Sequence, residues 1–313
     1  MTIDKKFVDL FINVSSRAAL AAFYLVGKKD KIAADKAAVD VMRTELNKID
    51  MNGEIVIGEG ELDEAPMLFI GEKLGSMKGP NLDIAVDPLE GTNFAANNLP
   101  GALTVIAVAE KSNLFNAPET YMNKISANIS ESNVVDLDFT IKKNIHNLAE
   151  FKNKKPQELT ACILDRPRHK DLINQLIDLK VNLKLISDGD VAGALLVTNK
   201  KHDVDIFLGI GGGPEGVLAC AALDTFDCSF QGRFLFDTDE DKIRANKMGI
   251  NNLTKKYELN EIIKGDSIFC ATGITSGDLV SGIKNENNEF ISETLVTHKS
   301  SGMKKVIKKV VNG

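Results

Sequence analysis

Four short apolar runs in this chain stop on glycine and acid, and that pattern most limits what it can fold into. "VIGEGELDE" ends in Glu59, Glu61, Asp63 and Glu64. "AVDPLEGT" ends in Asp87, Glu90 and Thr92. "ISDGD" ends in Asp188 and Asp190, and "GIGGGPEG" contains Glu215. Short runs of Ile, Val, Leu and Ala bounded by glycine read as buried strands. A carboxylate at the end of a buried strand is costly unless it is paired or binds a cation. In α/β sheets, crevices form at the carboxyl ends of strands. The pattern therefore predicts an α/β protein whose strand ends share a charged crevice.

The rest of the chain fits that class. Residues 5–26 and 32–49 are spaced as helices, with "GKKDK" between them. Strands are expected at "GEIVIGEG", "NLDIAVD" and "ALTVIAVAE", and a helix at "EAPMLFIGEKLG" with Gly75 as its stop. The polar stretch "EFKNKKPQEL" at 150–159 suggests a boundary, giving halves 1–158 and 159–313. Beyond it, "TACILDRP", "HKDLINQLIDL", "NLKLISDGD", "VAGALLVTN", "VDIFLGIGGG" and "PEGVLACAALDTF" alternate strand and helix, as parallel βαβ units do. "ISETLVTH" and "KKVIKKVV" read as a closing strand pair.

Composition removes several function classes. The chain has 313 residues, enough for one large fold or two packed domains, and a net charge of −6. That charge argues against nucleic acid or an anionic membrane as a partner. The run "AALAAFYLVG" follows acidic residues and keeps helical spacing, so it reads as a core helix rather than a signal or a span. Cys162, Cys220, Cys228 and Cys270 form no C-x-x-C pair and are expected to be buried, reduced thiols of a cytoplasmic protein. The four histidines lie apart from the acidic segments and read as structural or surface residues.

The stretch from Asp87 to Thr92 carries the most chemistry. Asp87 ends a buried strand, Pro88 turns the chain, and Glu90 returns towards Asp87. Gly91 permits close backbone approach and Thr92 is placed to cap the helix that follows. Acids there can hold metal, and all-oxygen ligation suits Mg²⁺ or Mn²⁺ rather than zinc. A plain strand-turn-helix with a threonine cap uses the same residues. "GIGGGPEG" follows a strand and opens a helix, as a dinucleotide fingerprint does. Glu215, however, would repel a pyrophosphate without a cation between them.

Taken in order, "VIGEGELDEAPMLFIGEKLG", "DIAVDPLEGT", "NAPETYM", "RPRH", "DGDVA" and "GIGGGPEGV" resemble the class II fructose-1,6-bisphosphatases. More distantly, D-P-[acid]-G-T resembles the inositol monophosphatase superfamily. The resemblance implies a layered α-β-α-β-α sugar-phosphatase fold with two tightly packed halves. It implies metal-dependent hydrolysis of the 1-phosphate of fructose 1,6-bisphosphate, in gluconeogenesis and glycerol metabolism. By position, the metal ligands would be Asp35, Glu59, Asp87, Glu90 and Glu215, with Mn²⁺ favoured over Mg²⁺. Thr92 and Asp87 would serve catalysis, Thr92 by helping activate the attacking water, with Glu61 as a further acid in the metal network. Lys31, Glu90, Gly91, Thr92, Tyr121, Arg166, Arg168, Asp188, Asp190 and Gly212 would hold substrate. The expected partners are a sugar bisphosphate and other copies of the chain, as a dimer or tetramer.

The chain departs from the family's pattern at "NFAANNLPGA" and is short over 233–245. Neither stretch holds a proposed ligand, so what they put in doubt is loop contacts and subunit packing. Rival readings are a sedoheptulose 1,7-bisphosphatase, an inositol-type monophosphatase, a non-catalytic sugar-phosphate-binding protein and a nucleotide-dependent oxidoreductase.

Overall fold

A computed structural model describes residues 2–60, 67–199 and 201–312. Its contacts divide the chain into two compact units, Met1–Ala117 with Ile263–Gly313, and Pro118–Ile262. The first unit opens with helices α1 (Lys6–Phe23) and α2 (Lys31–Leu46). Strands β1 (Asn52–Ile57), β2 (Lys73–Leu74) and β3 (Asn81–Glu90), the short helix α3 (Thr92–Ala96) and strand β4 (Leu103–Glu110) follow. The second unit holds β5 (Tyr121–Ala127), α4 (Ile141–Phe151), β6 (Thr160–Leu164), α5 (Lys170–Asp178), β7 (Asn182–Ile186) and α6 (Asp190–Leu195). It continues through β8 (Ile206–Gly212), α7 (Gly213–Thr225), β9 (Ser229–Phe234), α8 (Asp239–Lys247), β10 (Tyr257–Glu258) and α9 (Leu259–Ile262). The chain then returns to the first unit with β11 (Ser267–Gly273), β12 (Lys284–Glu286), β13 (Glu289–His298) and β14 (Met303–Val311).

The first unit is built on an eight-stranded sheet in the order β12-β13-β11-β4-β3-β1-β2, with β14 paired to β13. Phe7, Phe11, Val14, Ala18 and Ala22 recur on one face of α1, and that face packs on β3, β4, β11 and β13. The core it seals includes Ile55, Ile84, Val86, Ile106 and Cys270. The run that raised the question of a signal or span is thus a core helix. No helix among the described residues is long and apolar enough to cross a membrane. β1 and β3 are parallel neighbours, so both deliver their acids at the same sheet edge.

The second unit has a six-stranded sheet, β10-β9-β5-β8-β6-β7. Successive side chains of a strand face opposite sides. In β5, Ile125 joins the core made with Ile145, Leu148 and Leu176 of α4 and α5, and Lys124 lies towards Gly216 of α7. The expected α/β class holds, and all four cysteines are buried, with no disulfide among the described residues.

Three local expectations change. The βαβ alternation holds for β6, β7 and β8, which are mutually parallel, but β5, β9 and β10 join antiparallel. The helix expected at "EAPMLFIGEKLG" is absent over its described residues, 67–75. Leu68 and Gly71, inside the expected helix, take left-handed backbone angles that an α-helix does not accommodate, and β2 pairs antiparallel to β1 instead. The Glu72 carboxylate anchors this turn, accepting from the Leu68 N–H and, at 2.6 Å, from Arg43 Nε. Finally, the polar stretch at 150–159 falls inside the second unit. Strand pairing decides this: β5, well before it, pairs with β8 and β9 after it, and β11 pairs back to β4.

Candidate active site

In the first unit, β3 runs through the whole "DPLE" segment rather than ending at Asp87. Asp87 pairs with Val105 and Glu90 with Leu103, and the ladder slips between them, at Pro88, which has no N–H to donate. The Pro88 carbonyl is secured by Thr104 Oγ1 at 2.9 Å. Glu90 is buried at 5% exposure, and Asp87 is half-buried. Glu59 lies two residues beyond Ile57, whose partner across the parallel ladder is Ala85, two residues before Asp87. Glu59 also donates its N–H to the Leu68 carbonyl at 3.0 Å, which fixes the turn after β1.

α2 packs against β3 and α3. Asp30 caps it, accepting from the Ala33 N–H at 2.9 Å, so Lys31 is its exposed first residue and Asp35 lies one turn on. Burial pushes the Asp35 carboxyl up to about 6. Thr92 is not the helix cap expected of it. Gly91, at φ +77°, occupies the cap position, and Thr92 is the first helical residue. A side chain at Gly91 would place its Cβ 2.8 Å from the Phe94 ring, so glycine is required there on two counts. Glu61 lies outside the described residues.

In the second unit the candidates gather where β6, β7 and β8 end and antiparallel β5 begins. Arg166 follows β6 and lies 3.7 Å from Asp188, which follows β7. Arg168 stacks over the Tyr121 ring, 4.8 Å from its centre, while its Nε donates to the Ile210 carbonyl at 3.0 Å. Asp190, at 9% exposure, begins α6 after the left-handed Gly189. Glu215 stands in the first turn of α7, close over Gly212. Burial raises its carboxyl above the usual range, Lys124 opposes that rise, and Asp190 reinforces it.

Two residues of this edge were not singled out from sequence. Lys124 is buried at 1% exposure and donates to the Asp190 carboxylate and to the Gly212 carbonyl. Its only signal is a lone lysine inside the otherwise weakly polar strand "YMNKISA". His169, at 1% exposure, bridges strands: Nδ1 donates to the Leu164 carbonyl and Nε2 accepts from the Ile210 N–H, both at 2.7 Å. Burial holds its imidazole below the usual pKa, so it is a neutral structural histidine. The glycines of "GIGGGPEG" serve internal packing. A Cβ at Gly211 would meet Asp190, at Gly213 Phe234, and at Gly216 Met122.

Among the described residues, no group of three or more His, Cys, Asp or Glu side chains stands ready to hold a metal ion. The donor chemistry nevertheless suits a hard divalent cation: every candidate ligand is a carboxylate, and burial alone accounts for the raised pKa of Asp35.

The family described as bacterial fructose-1,6-bisphosphatase, glpX-encoded, matches residues 5–311. This chain belongs to that family. It is 40% identical over 308 residues to a protein of Prochlorococcus marinus strain MIT 9312 named D-fructose 1,6-bisphosphatase class 2/sedoheptulose 1,7-bisphosphatase, covering 94% of this chain and 92% of that one. The protein of the same name from strain MIT 9303 is 41% identical over the same length and shares. Among solved structures, CysQ from Bacteroides thetaiotaomicron, of the inositol monophosphatase family, overlaps 65% of this chain and 79% of its own at TM-score 0.36 and 14% identity. All the family segments named above, from "DIAVDPLEGT" to "GIGGGPEGV", fall within the matched span.

Proposed function

We propose that this chain hydrolyses the 1-phosphate of fructose 1,6-bisphosphate, giving fructose 6-phosphate and phosphate. The observation that carries this reading is the family match over residues 5–311. A second substrate, sedoheptulose 1,7-bisphosphate, is favoured by the double name of its relatives. Both place the chain in carbohydrate metabolism. Gluconeogenesis and glycerol use, a cytoplasmic location and a dimeric or tetrameric assembly follow from the family resemblance.

In the first unit, Asp35, Glu59, Asp87 and Glu90 would hold a divalent cation, Mn²⁺ or Mg²⁺. Glu215, in the second unit, is proposed as a ligand too, and Glu61 as a further acid. When bound, the cation supplies electrophilic polarisation of the phosphoryl oxygens and offsets charge on the leaving oxygen. Thr92, the first residue of α3, would orient the attacking water with its hydroxyl. Lys31, Gly91 and Glu90 belong to the phosphate end. Arg166 and Arg168 grip the distal phosphate, Arg168 already oriented by the Tyr121 ring and the Ile210 carbonyl. Asp188 and Asp190 accept hydrogen bonds from sugar hydroxyls beside Gly212.

The test is phosphate release from a panel of sugar bisphosphates, sugar monophosphates and inositol phosphates, with Mg²⁺ and Mn²⁺ compared after chelation. Turnover of the two bisphosphates, lost on chelation and restored by either ion, is expected. Full turnover in excess chelator, or preference for an inositol monophosphate, would sink the reading.

A further inference from the structure

We infer that Lys124 is a positioning residue for substrate: its buried ammonium holds Asp190 and the Gly212 turn in the arrangement that receives the sugar. This rests on the proposed contact between Asp190 and a sugar hydroxyl. A lysine is among the residues least often fully buried, because its ammonium loses its water. Lys124 is nevertheless enclosed at 1% exposure, in the middle of β5. Its stem lies along α7, where a Cβ added at Gly216 would stand 3.4 Å from Lys124 Cδ. The ammonium donates to the Asp190 carboxylate at the start of α6 and to the Gly212 carbonyl, 2.5 Å away, at the end of β8.

Two segments thus meet on one cation, the start of α6 and the end of β8, and its charge also bears on Glu215 in the first turn of α7. The room for this is made by glycine. A Cβ at Gly211 would lie 2.2 Å from Asp190 Oδ2, and one at Gly212 would lie 1.8 Å from Glu215 Oε2. Lys124 occupies only one side of Asp190. The second carboxylate oxygen, Oδ1, is buried with no hydrogen-bond partner among the described residues. A buried acceptor left without a donor costs stability, and a ligand hydroxyl would satisfy it. One oxygen is therefore spent on orientation and the other is left for substrate.

A buried ion pair kept only for folding would show the same contact, and such pairs can often be replaced by apolar residues without loss of stability. A double-variant cycle separates the two roles. Steady-state kinetics with fructose 1,6-bisphosphate and thermal melting are measured for Lys124→Met, Asp190→Asn and the double variant. If Lys124 acts through Asp190, each single variant raises KM about tenfold, as loss of a charged hydrogen bond would, with kcat little changed. The double variant then matches Asp190→Asn. If Lys124→Met alone does not fold, Asp190→Asn against the double variant still tests the inference, because a further rise in KM in the double variant would show that Lys124 acts other than through Asp190.

A wild-type KM for Lys124→Met overturns the inference. So does a double variant whose KM rises by the product of the two single effects, which shows that Lys124 acts independently of Asp190. If Asp190→Asn itself keeps a wild-type KM, the sugar contact assigned to Asp190 fails and the positioning role falls with it. That outcome is distinct from the first two, because it appears without any change at Lys124.

Discussion

Two strand ends in this molecule turn into helices by the same device. After β3 the chain passes through Gly91 at φ +77° into α3, and after β7 it passes through Gly189 at φ +84° into α6. Each glycine takes a left-handed conformation costly for other residues. Each delivers a site candidate, Thr92 or Asp190, as the first helical residue. The difference lies in what holds that residue. Asp190 is buried and clamped by Lys124, whereas Thr92 is half-buried and follows the glycine that holds the cap position. One backbone turn thus serves two ends. In the second unit it fixes an acceptor against an internal cation. In the first it starts the helix on a hydroxyl, close in sequence to the acids proposed to hold an external one.

The largest effect should come from removing charge on the metal side. Asp87→Asn keeps shape and removes a carboxylate charge, so metal affinity by calorimetry should fall and activity with it, by roughly 10³-fold or more, since the cation's electrostatic contribution is worth several kcal/mol. Wild-type metal affinity in this variant would remove Asp87 from the ligand set. Thr92→Ala should act differently. Metal and substrate still bind, and kcat falls by about 10²-fold through loss of the group that orients water. Because Gly91 and not Thr92 holds the cap position, the melting temperature should stay near wild type. A normal kcat with a lowered melting temperature would make Thr92 a helix residue and nothing more.

On the other strand edge the arginines should split by their local support. Arg168 is held by the Tyr121 ring and the Ile210 carbonyl, and Arg166, among the described residues, by a 3.7 Å pair to half-exposed Asp188. Exposed pairs of that kind contribute little to stability. Both Arg166→Ala and Arg168→Ala should raise KM for the bisphosphate, roughly tenfold, with kcat nearly unchanged. Only Arg168→Ala should also lower the melting temperature. A fall in kcat at unchanged KM would move these residues from the distal to the reacting phosphate.

The sequence displayed one side of the comparison more fully than the other. Acids after apolar runs are visible because strand ends and turn residues are local signals: Asp188 follows β7 and Glu215 follows β8, although β3 runs on through Asp87 to Glu90. Lys124 was invisible because its meaning depends on register: only the pairing of β5 between β8 and β9 brings it beneath Asp190 and Gly212. The helix misplaced at 67–75 failed for a related reason. Its apolar spacing is helical, but the left-handed turns at Leu68 and Gly71 and the Glu72 anchor are tertiary choices. The unit boundary was missed because composition marks polar surface, while β11 to β14 return to the first sheet over a long separation in sequence.

The smallest expected effect tests the comparison through stability alone, in metal-free protein. Burial raises the Asp35 carboxyl to about 6 from its ordinary 3.8, whereas Asp190 has the Lys124 ammonium against it. A carboxyl with a raised folded pKa binds its proton more tightly folded than unfolded. Its favourable contribution is complete below about 3.8 and is lost as pH rises through about 6. At pH 7 the ionised Asp35 therefore opposes folding of the metal-free protein. Asp35→Asn removes that charge at nearly constant shape and should raise the melting temperature at pH 7 by roughly 2–4 °C, the shift that about 1 kcal/mol produces in a chain of this size. The gain should vanish near pH 4, where Asp35 is protonated anyway. Asp190→Asn should do the reverse at pH 7 and lower the melting temperature, because it strips a buried ammonium of its counter-charge. Calorimetric melting of both variants in excess chelator, at the two pH values, reads the difference directly. If both substitutions destabilise at pH 7, Asp35 is paired within the protein as Asp190 is, and the contrast between the two units' acids is lost.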